Sequence, residues 1–236
     1  MFNNDKINIL VPLRIGSKSI KKKNIKSFFG KPLSYWCISE ISKSKYVDKI
    51  IVAYDDNQIY KTLNKLKYSK KISFFKRSKT NSKDRSTTED LIFEIIKREN
   101  LPIQDYLMLV QSTNPFITKN DVDGSIEELL SNKKFDSLIS VVKWKRFIWN
   151  KNKPINYLIN NRPLRQKMKN FYMENGSIYL SKIKNILRSK NRISGKIKLY
   201  EMDQISFVEI DENFDFNLAE LLFKNSNKLR KSLFKF

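Results

Sequence analysis

A short polar loop directly after an apolar segment carries the first residues that could do chemistry. The segment Ile7–Leu13 reads INILVPL and is followed by Arg14, Gly16, Ser17 and Lys18. Glycine and serine let backbone N–H groups approach a phosphate, and the cations would neutralise its charge. The loop lacks the ending of a Walker A loop, and its single glycine does not match the GxGxxG fingerprint. Taken alone, it fits a phosphate cradle and a solvated basic turn equally well.

The residue types that are missing exclude several kinds of active site. The chain has no histidine, which rules out a Ser-His-Asp triad, a Cys-His pair and a histidine-ligated metal. Its single cysteine, Cys37, rules out an internal disulfide framework and a cysteine-based zinc site. No apolar run is as long as a membrane span, and we see no signal peptide before Ile7. We therefore expect a cytoplasmic protein that does not use the membrane.

The elements that must position the loop alternate between strands and helices. Five apolar runs are predicted strands, and four amphipathic stretches between them are predicted helices. The strands are Ile7–Leu13, Asp48–Tyr54, Lys71–Phe75, Tyr106–Val110 and Ser137–Val142, and the helices are Pro32–Ser44, Asp56–Leu66, Thr88–Arg98 and Lys119–Leu130. This alternation predicts an α/β fold with a mostly parallel sheet flanked by helices. Ligands bind at the carboxyl edge of such a sheet, where the loop after the first strand lies.

The pattern changes after the fifth predicted strand. Residues 143–192 mix aromatic, basic and Asn side chains with few clear periods. We expect an inserted region there that packs on a partner subunit or forms a wall of the active site. Regular structure is predicted again at Gly176–Leu180, Lys196–Tyr200 and in a final helix Asn217–Phe223, followed by a basic helix end over 224–236. We expect a single domain over residues 1–236.

The charge of the chain makes nucleic acid a partner to consider. The chain has 47 basic and 24 acidic residues among 236, a net charge of +23. Only 10 of the basic residues are arginine, the side chain that reads bases through a bidentate fork, and the lysines are scattered along the chain. We therefore expect no nucleic-acid partner, although a nucleic-acid binder with steeply salt-dependent affinity stays an alternative. A basic surface would also attract anionic substrates such as nucleotides.

Several ordered segments together resemble the acylneuraminate cytidylyltransferase family, whose members make CMP-activated sialic acids and related nonulosonic acids. In the first half the resemblance rests on Arg14-x-Gly16-Ser17-Lys18, on Lys23-Asn24, on a second strand that ends in Asp55, and on Arg77 after the third strand. In the second half it rests on Gln111-Ser112-Thr113-Asn114-Pro115, Arg165-Gln166, Glu174-Asn175-Gly176-Ser177-Ile178-Tyr179 and Glu209-Ile210-Asp211. Several segments that match in order are far more specific than any one of them.

The resemblance implies both a fold and a reaction. The fold is a Rossmann-like nucleotidyltransferase domain in which residues 143–192 form an inserted region that exchanges contacts across a homodimer. The substrates are CTP and a 2-keto sugar acid, whose anomeric hydroxyl attacks the α-phosphate of CTP. CMP-sugar forms and pyrophosphate leaves, with Mg²⁺ assisting. Such a transfer needs charge neutralisation and in-line positioning more than a covalent nucleophile, which suits a chain without histidine.

The resemblance also implies roles for individual residues. The expected catalytic residues are Arg14, Lys18, Lys23 and Asp211, and CTP is expected to bind through Arg14, Gly16, Ser17, Lys18, Lys23, Asn24 and Arg77. Asp211 and Glu209, two apart on a strand-like segment, would face the same side and hold Mg²⁺, a hard cation that prefers oxygen ligands. Gln111, Arg165 and Asn175 would bind the sugar acid, Arg165 through a fork to its carboxylate.

These residues also have purely structural interpretations. Glu209 and Asp211 could be surface acids, and Asn175-Gly176 is a common hairpin-turn signal. The chain also departs from the family pattern, because Ile15 stands where a second glycine is usual and Glu209 where Asp is usual. Two alternatives therefore stay open: a cytidylyltransferase for another acid sugar such as 3-deoxy-octulosonate, and a non-catalytic relative that binds a nucleotide.

Overall fold

Strands and helices alternate along the first half of the computed structural model, which describes residues 5–66, 71–82, 85–168 and 171–226. The strands are β1 (Ile7–Leu13), β2 (Ser27–Phe28), β3 (Lys31–Pro32), β4 (Lys49–Tyr54), β5 (Ile72–Lys76), β6 (Tyr106–Val110), β7 (Ser137–Lys143), β8 (Trp149–Asn150), β9 (Lys153–Pro154), β10 (Tyr172–Lys182) and β11 (Ile197–Glu201). The α-helices are α1 (Leu33–Ser42), α2 (Asn57–Leu63), α3 (Thr88–Arg98), α4 (Lys119–Leu130), α5 (Ile183–Ser189) and α6 (Asn213–Lys224). Short 3₁₀ turns lie at Lys23–Ile25, Thr80–Ser82, Arg165–Lys167 and Gln204–Phe207.

Seven strands form one sheet in the order β11-β7-β10-β6-β1-β4-β5. Strand β10 runs antiparallel to β6 and β7, and the other neighbouring strands run parallel. The prediction of a mostly parallel sheet flanked by helices is therefore confirmed. Strands β1 and β4 end level, with Leu13 opposite Tyr54, so Arg14 and Asp55 leave the same edge of the sheet. This edge carries the candidate site.

Both faces of the sheet are covered, which explains why its central strands are apolar without alternation. One face packs on α1 and α4, where Ile9 and Val11 share a cluster with Ile38 and Ile126. The other face packs on α3 and α5, through the cluster that contains Leu10. Cys37 is fully buried in the first cluster, and this burial raises the pKa of its thiol to about 12. The thiol therefore stays protonated.

The predicted helices Thr88–Arg98 and Lys119–Leu130 have the bounds that the structure shows, because each begins at a capping box. In each box the threonine side chain accepts from the backbone N–H of an aspartate, and the aspartate side chain accepts from the backbone N–H of the threonine. The pairs are Thr87 with Asp90 and Thr118 with Asp121. The last helix begins at Asn213, four residues before the prediction, since Glu212 and Asp215 form a third box.

Less of the 143–192 region lies outside the sheet than the sequence predicts. Lys143 ends β7 and β10 lies in the middle of the sheet, whereas residues 144–168 carry the β8–β9 hairpin and residues 183–192 carry α5 outside the sheet. Strand β10 was hard to predict because its first half reads YMENGS, without an apolar run. The prediction for the basic end over 224–236 falls on residues 227–236, which lie outside the described part. Among the described residues, no helix is both long enough and apolar enough to cross a membrane.

Candidate active site

A cleft of about 260 Å³ opens at the carboxyl ends of β1, β5 and β6. Its walls come from the loop after β1, from Arg77 after β5, from the N-terminus of α3 and from the turn after β6. The lining residues that the sequence singled out are Arg14, Gly16, Ser17, Lys23, Asn24, Arg77 and Gln111. The structure therefore brings together seven predicted site residues that span almost 100 positions of the chain.

The loop after β1 is held by hydrogen bonds to its backbone. The Ile15 N–H donates to Asp55 Oδ1 at 2.9 Å, and Asn24 Nδ2 donates to the Arg14 carbonyl at 2.8 Å. Apart from its two neighbours in the chain, no described residue has a heavy atom within 4 Å of the place where a Cβ of Gly16 would stand, so this side of the loop is open. The loop presents its backbone to the cleft in a fixed conformation, which is what a phosphate-binding loop requires.

Lys23 joins this loop to the carboxylate-bearing segment near the end of the chain. Its Nζ donates to Asp211 Oδ1 at 2.9 Å and to the Ile210 carbonyl at 2.7 Å. Ser19 Oγ also donates to the Asp211 carbonyl. The Lys23 residue is only 9% exposed, whereas the Asp211 side chain is 67% exposed and open to a ligand. The contact places an ammonium group and a carboxylate side by side at this edge of the sheet.

Glu209 and Asp211 lie on an extended segment that alternates in burial. Val208 and Ile210 are buried, whereas Glu209 is half-buried and Asp211 is exposed, an alternation that suits two carboxylates on one side of the segment. The segment is not a strand, however. The backbone hydrogen bond that joins it to the turn after β6 runs from the Ile210 N–H to the Thr113 carbonyl at 2.9 Å. Burial raises the pKa of Glu209, and the negative charge of Asp211 raises it further.

This carboxylate pair fits a magnesium ion. A cation between Glu209 and Asp211 would offset both the burial of Glu209 and the repulsion from Asp211. The described ranges contain no group of three or more His, Cys, Asp or Glu side chains able to hold a metal by themselves. Phosphate oxygens and water would therefore complete the coordination, which is the usual way in which proteins bind Mg²⁺.

Two buried polar side chains line the cleft beside the loop. Arg77 is 6% exposed, and its Nη2 donates to the Asn81 carbonyl, while its Nε has no hydrogen-bond partner in the described structure. Burial lowers the pKa of Arg77, and the nearby Asp55 opposes this shift. Asn24 accepts from Ser112 Oγ at 2.9 Å and so connects the loop with the turn after β6.

The residues predicted to bind the sugar acid lie in three different places. Gln111 lines the cleft, where its N–H donates to the Ser177 carbonyl at 3.2 Å. Arg165 lies in a separate hollow of about 510 Å³ with Trp144 and Phe207, and its Nε donates to the Lys145 carbonyl at 3.1 Å. Asn175 is 1% exposed and makes its side-chain contacts inside the protein.

Five predicted site residues do not line the cleft: Lys18, Arg165, Asn175, Glu209 and Asp211. Glu209 and Asp211 are connected to it through Thr113 and Lys23, which do line it. Lys18 is exposed on the loop after β1, next to Ser17, which does line it. The structure therefore groups the residues predicted for CTP more closely than those predicted for the sugar acid.

The structure also shows cleft residues that the sequence did not single out. Ser86, Thr87 and Thr88 line it at the N-terminus of α3, where the helix dipole favours an anion. The capping pattern Thr87-x-x-Asp90 is visible in the sequence and marks this terminus. Thr113 lines the cleft and donates from Oγ1 to Glu209 Oε1 at 3.3 Å. No sequence signal points to this contact, because 96 residues separate its partners.

The α3 wall is fastened by Glu89, which accepts two hydrogen bonds from Arg192, at 2.7 and 3.0 Å. Replacing Arg192 with methionine should destabilise the protein by about 1–2 kcal/mol at neutral pH. Burial opposes ionisation of Glu89, but Arg192 outweighs it and lowers the pKa of Glu89. A carboxyl with a lowered pKa stabilises the fold above its ordinary pKa, and this stabilisation is lost as the pH falls through the lowered value.

Urea unfolding at about pH 7 and about pH 3 checks this expectation. The difference in unfolding free energy between wild type and Arg192→Met should be largest at neutral pH and shrink in acid. An equal difference at both pH values would show that Arg192 stabilises the fold through its contact with the Tyr179 ring rather than through the Glu89 carboxylate.

Comparisons with known proteins agree on one family. The family model described as Cytidylyltransferase matches residues 8–232. The chain is 32% identical over 222 residues to N-acylneuraminate cytidylyltransferase A of Danio rerio, covering 91% of this chain and 50% of that protein. It is 26% identical to pseudaminic acid cytidylyltransferase of Campylobacter jejuni, covering 91% and 95%, and 27% identical to CMP-N,N'-diacetyllegionaminic acid synthase of Legionella pneumophila, covering 92% and 96%. The chain spans about half the length of the first curated relatives that it matches.

Solved structures support the fold. A 4-diphosphocytidyl-2C-methyl-D-erythritol synthase from Anaerococcus prevotii matches with a TM-score of 0.68 at 16% identity, covering 93% of this chain and 96% of that one. A CMP:2-keto-3-deoxy-manno-octonic acid synthetase complexed with CTP matches with a TM-score of 0.67 at 14% identity, covering 94% and 100%. At these identities the likeness shows a shared architecture.

Proposed function

The chain belongs to the cytidylyltransferase family, and from this membership we propose that it transfers CMP from CTP to the anomeric hydroxyl of a 2-keto nonulosonic acid of the sialic acid type, releasing pyrophosphate. The observation that carries the proposal is the contact between Lys23 and Asp211, which joins the cationic loop after β1 to the carboxylate pair. Relatives named for acylneuraminate, pseudaminic acid and diacetyllegionaminic acid support a nonulosonic acid as the acceptor.

The triphosphate of CTP is proposed to bind along the loop after β1. Gly16 would offer its backbone N–H group and Ser17 its hydroxyl, because the Ser17 N–H already donates to the Ile15 carbonyl at 3.0 Å. Arg14, Lys18 and Lys23 would neutralise the phosphate charge. Because Lys23 Nζ donates to Asp211, it would contact the phosphate group at which bonds form and break. Because charge builds up there in the transition state, a fixed cation at this point accelerates transfer more than it strengthens ground-state binding.

The cytidine is proposed to bind deeper in the cleft, beside Asn24 and Arg77. Both are buried cleft residues, and Arg77 has a buried Nε without a hydrogen-bond partner in the described structure, which a ligand carbonyl could satisfy. The Asn24 amide already donates one hydrogen to the Arg14 carbonyl and accepts from Ser112 Oγ, so its second amide hydrogen and the second lone pair of its oxygen would read the pyrimidine edge.

Glu209 and Asp211 are proposed to hold Mg²⁺. When bound there, the ion would neutralise phosphate charge and lower the pKa of the attacking hydroxyl. Asp211 is exposed toward this ligand, while Glu209 is held from the side of the turn after β6 by Thr113. The two side chains thus supply the negative charge that the ion requires.

The sugar acid is proposed to bind between Gln111 in the cleft and Arg165 in the neighbouring hollow. A guanidinium can hold the 2-keto acid carboxylate through two parallel hydrogen bonds. The hollow also contains Lys143, Lys145 and Arg146, so its charge suits an acid. Phe207, two residues before Glu209, lies in the wall of this hollow and connects it with the carboxylate segment.

A homodimer formed through residues 143–192 belongs to the same proposal. Ile155, Leu158, Ile159 and Leu164 are between 58% and 72% exposed on the described part of this region. Apolar side chains grouped in this way mark an interaction surface. A second copy of the chain would cover them.

Pyrophosphate release tests the proposed reaction. We expect release with CTP and Mg²⁺ and at least one of sialic, pseudaminic and legionaminic acid, and little release when ATP, GTP or UTP replaces CTP. Release only with 3-deoxy-octulosonate would move the assignment to another acid sugar. CTP binding without release for any acceptor would indicate a non-catalytic relative, and absence of CTP binding would contradict the proposal.

A further inference from the structure

Strand β10 contains an irregular stretch that faces the carboxylate segment. Between Glu174 and Tyr179 the strand advances five residues while its partner β7 advances two, from Val141 to Ile139. The extra residues form a bulge, the kind of feature that often adjusts side chains beside active sites. Asn175-Gly176 lies inside this strand, so the hairpin-turn interpretation of this pair is wrong.

Glycine is required in the bulge by both its conformation and its neighbour. Gly176 has φ of +62°, a conformation that side chains with a Cβ rarely adopt. A Cβ atom there would lie 2.6 Å from Glu209 Oε1 and closer still to Oε2. The Glu209 carboxylate therefore rests directly on the backbone of the bulge, and any side chain at position 176 would displace it.

Buried amides fasten the bulge to the segment that leads to Glu209. Asn175 Nδ2 donates to Ser206 Oγ at 2.9 Å, and its Oδ1 accepts from Ser140 Oγ at 2.6 Å. Asn114 Nδ2 donates to the Asn175 carbonyl at 3.1 Å and to the Ser206 carbonyl at 2.7 Å. All four residues are at most 2% exposed. Such a fully satisfied buried network holds its members in one arrangement.

We infer that the β10 bulge is a seat for the Glu209 carboxylate, in which Gly176 provides the space and Asn175 and Asn114 fix the segment. Thr113 closes the seat by its hydrogen bond to Glu209 Oε1. This inference rests on the proposed role of Glu209 as a metal ligand. Asn175, Asn114 and Gly176 are positioning residues: they act on magnesium through Glu209 and do not touch it.

Gly195 provides a matched control for Gly176. It also has a positive φ, of +66°, and a Cβ there would lie 2.6 Å from Cγ of Asp136, another carboxylate. Gly195 lies just before β11, and Asp136 lies just before β7. Both are therefore at the amino ends of these parallel strands, whereas Glu201 and Lys143 mark the carboxyl ends. An alanine at either glycine therefore imposes the same kind of strain, but only Gly176→Ala moves a proposed metal ligand.

Three readouts test the seat: the Mg²⁺ concentration for half-maximal pyrophosphate release, binding of Mn²⁺ to the protein with CTP and without a sugar acid by electron paramagnetic resonance, and the melting temperature. Gly176→Ala should raise the half-maximal Mg²⁺ concentration at least tenfold and weaken Mn²⁺ binding. Gly195→Ala should lower the melting temperature by a similar amount and leave both metal readouts unchanged. Equal metal effects in the two variants, or none in Gly176→Ala, would overturn the inference.

Two further variants keep the test decisive. If Gly176→Ala does not fold, Ser206→Ala removes the acceptor of Asn175 with a smaller change and should raise the half-maximal Mg²⁺ concentration about threefold; an unchanged value would contradict the seat. Glu209→Gln separates this inference from the proposed function. If Glu209→Gln leaves Mn²⁺ binding unchanged, the assignment of Glu209 as a metal ligand fails. If Glu209→Gln weakens Mn²⁺ binding but Gly176→Ala does not, only the inference about the seat is refuted.

Discussion

Replacing Asp211 with alanine is expected to lower the rate of pyrophosphate release at least about a hundredfold, a loss of roughly 3 kcal/mol of transition-state stabilisation. Asp211 is the more exposed of the two proposed metal ligands, and its carboxylate also orients Lys23. The substitution therefore removes a ligand and frees a cation in one step. Raising the Mg²⁺ concentration should restore part of the lost rate, because weaker binding of the metal ion is a principal cause of the loss.

Folding should be almost unaffected by this substitution. The Asp211 side chain is 67% exposed, so its removal leaves no cavity, and the buried Lys23 ammonium keeps its hydrogen bond to the Ile210 carbonyl. Glu220→Ala, which removes an acid from α6, is the charge-matched control and should keep the wild-type rate. A full rate in Asp211→Ala would contradict the metal assignment, and a large fall in melting temperature would indicate a structural role instead.

Replacing Lys23 with alanine is expected to lower kcat at least about a hundredfold, since removal of one preorganised donor to a developing charge has effects of this size. The Nζ lies between two acceptors at 2.7 and 2.9 Å, so its position is well defined. Arginine should not restore the rate, because its planar fork cannot occupy the place of a compact ammonium group. Lys21→Ala, an exposed lysine two residues earlier, is the control for the loss of one positive charge.

A double substitution tests whether Lys23 and Asp211 act together. If they form one unit, the loss in Lys23→Ala/Asp211→Ala should be smaller than the product of the two single losses. Steady-state kinetics of the four proteins measures this coupling. Strictly multiplicative losses would show that the ion pair seen in the structure has no part in the reaction.

The fold was largely predictable because its central strands carry their signal locally. Ile7–Leu13 is apolar at every position except Asn8, and this pattern alone indicates a strand covered on both faces. The amphipathic helices α3 and α4 were equally clear, since their apolar positions and their caps agree. Strand β10 was only partly recognised, because its bulge contains polar residues whose partners lie far away in the chain.

The sequence allowed us to predict which residues belong to the candidate site, but not which of them contact each other. Lys23 and Asp211 were both expected at the site, yet 188 residues separate them, and their ion pair has no local signature. Asn175 was expected to bind the sugar acid, but its amide is buried against Ser140 and Ser206. Whether a polar side chain faces a cleft or the core depends on such partners, which a single sequence does not show.

Phosphorus NMR of a mixture of the protein, CTP, Mg²⁺ and a nonulosonic acid tests the central claim most directly. The α-phosphorus signal of CTP should be replaced by that of a CMP phosphodiester, and pyrophosphate should appear in a one-to-one ratio with it. This result is expected if the anomeric hydroxyl attacks the α-phosphate. Formation of CMP or CDP without the phosphodiester, or an unchanged CTP spectrum with every acid tested, would contradict the proposed reaction.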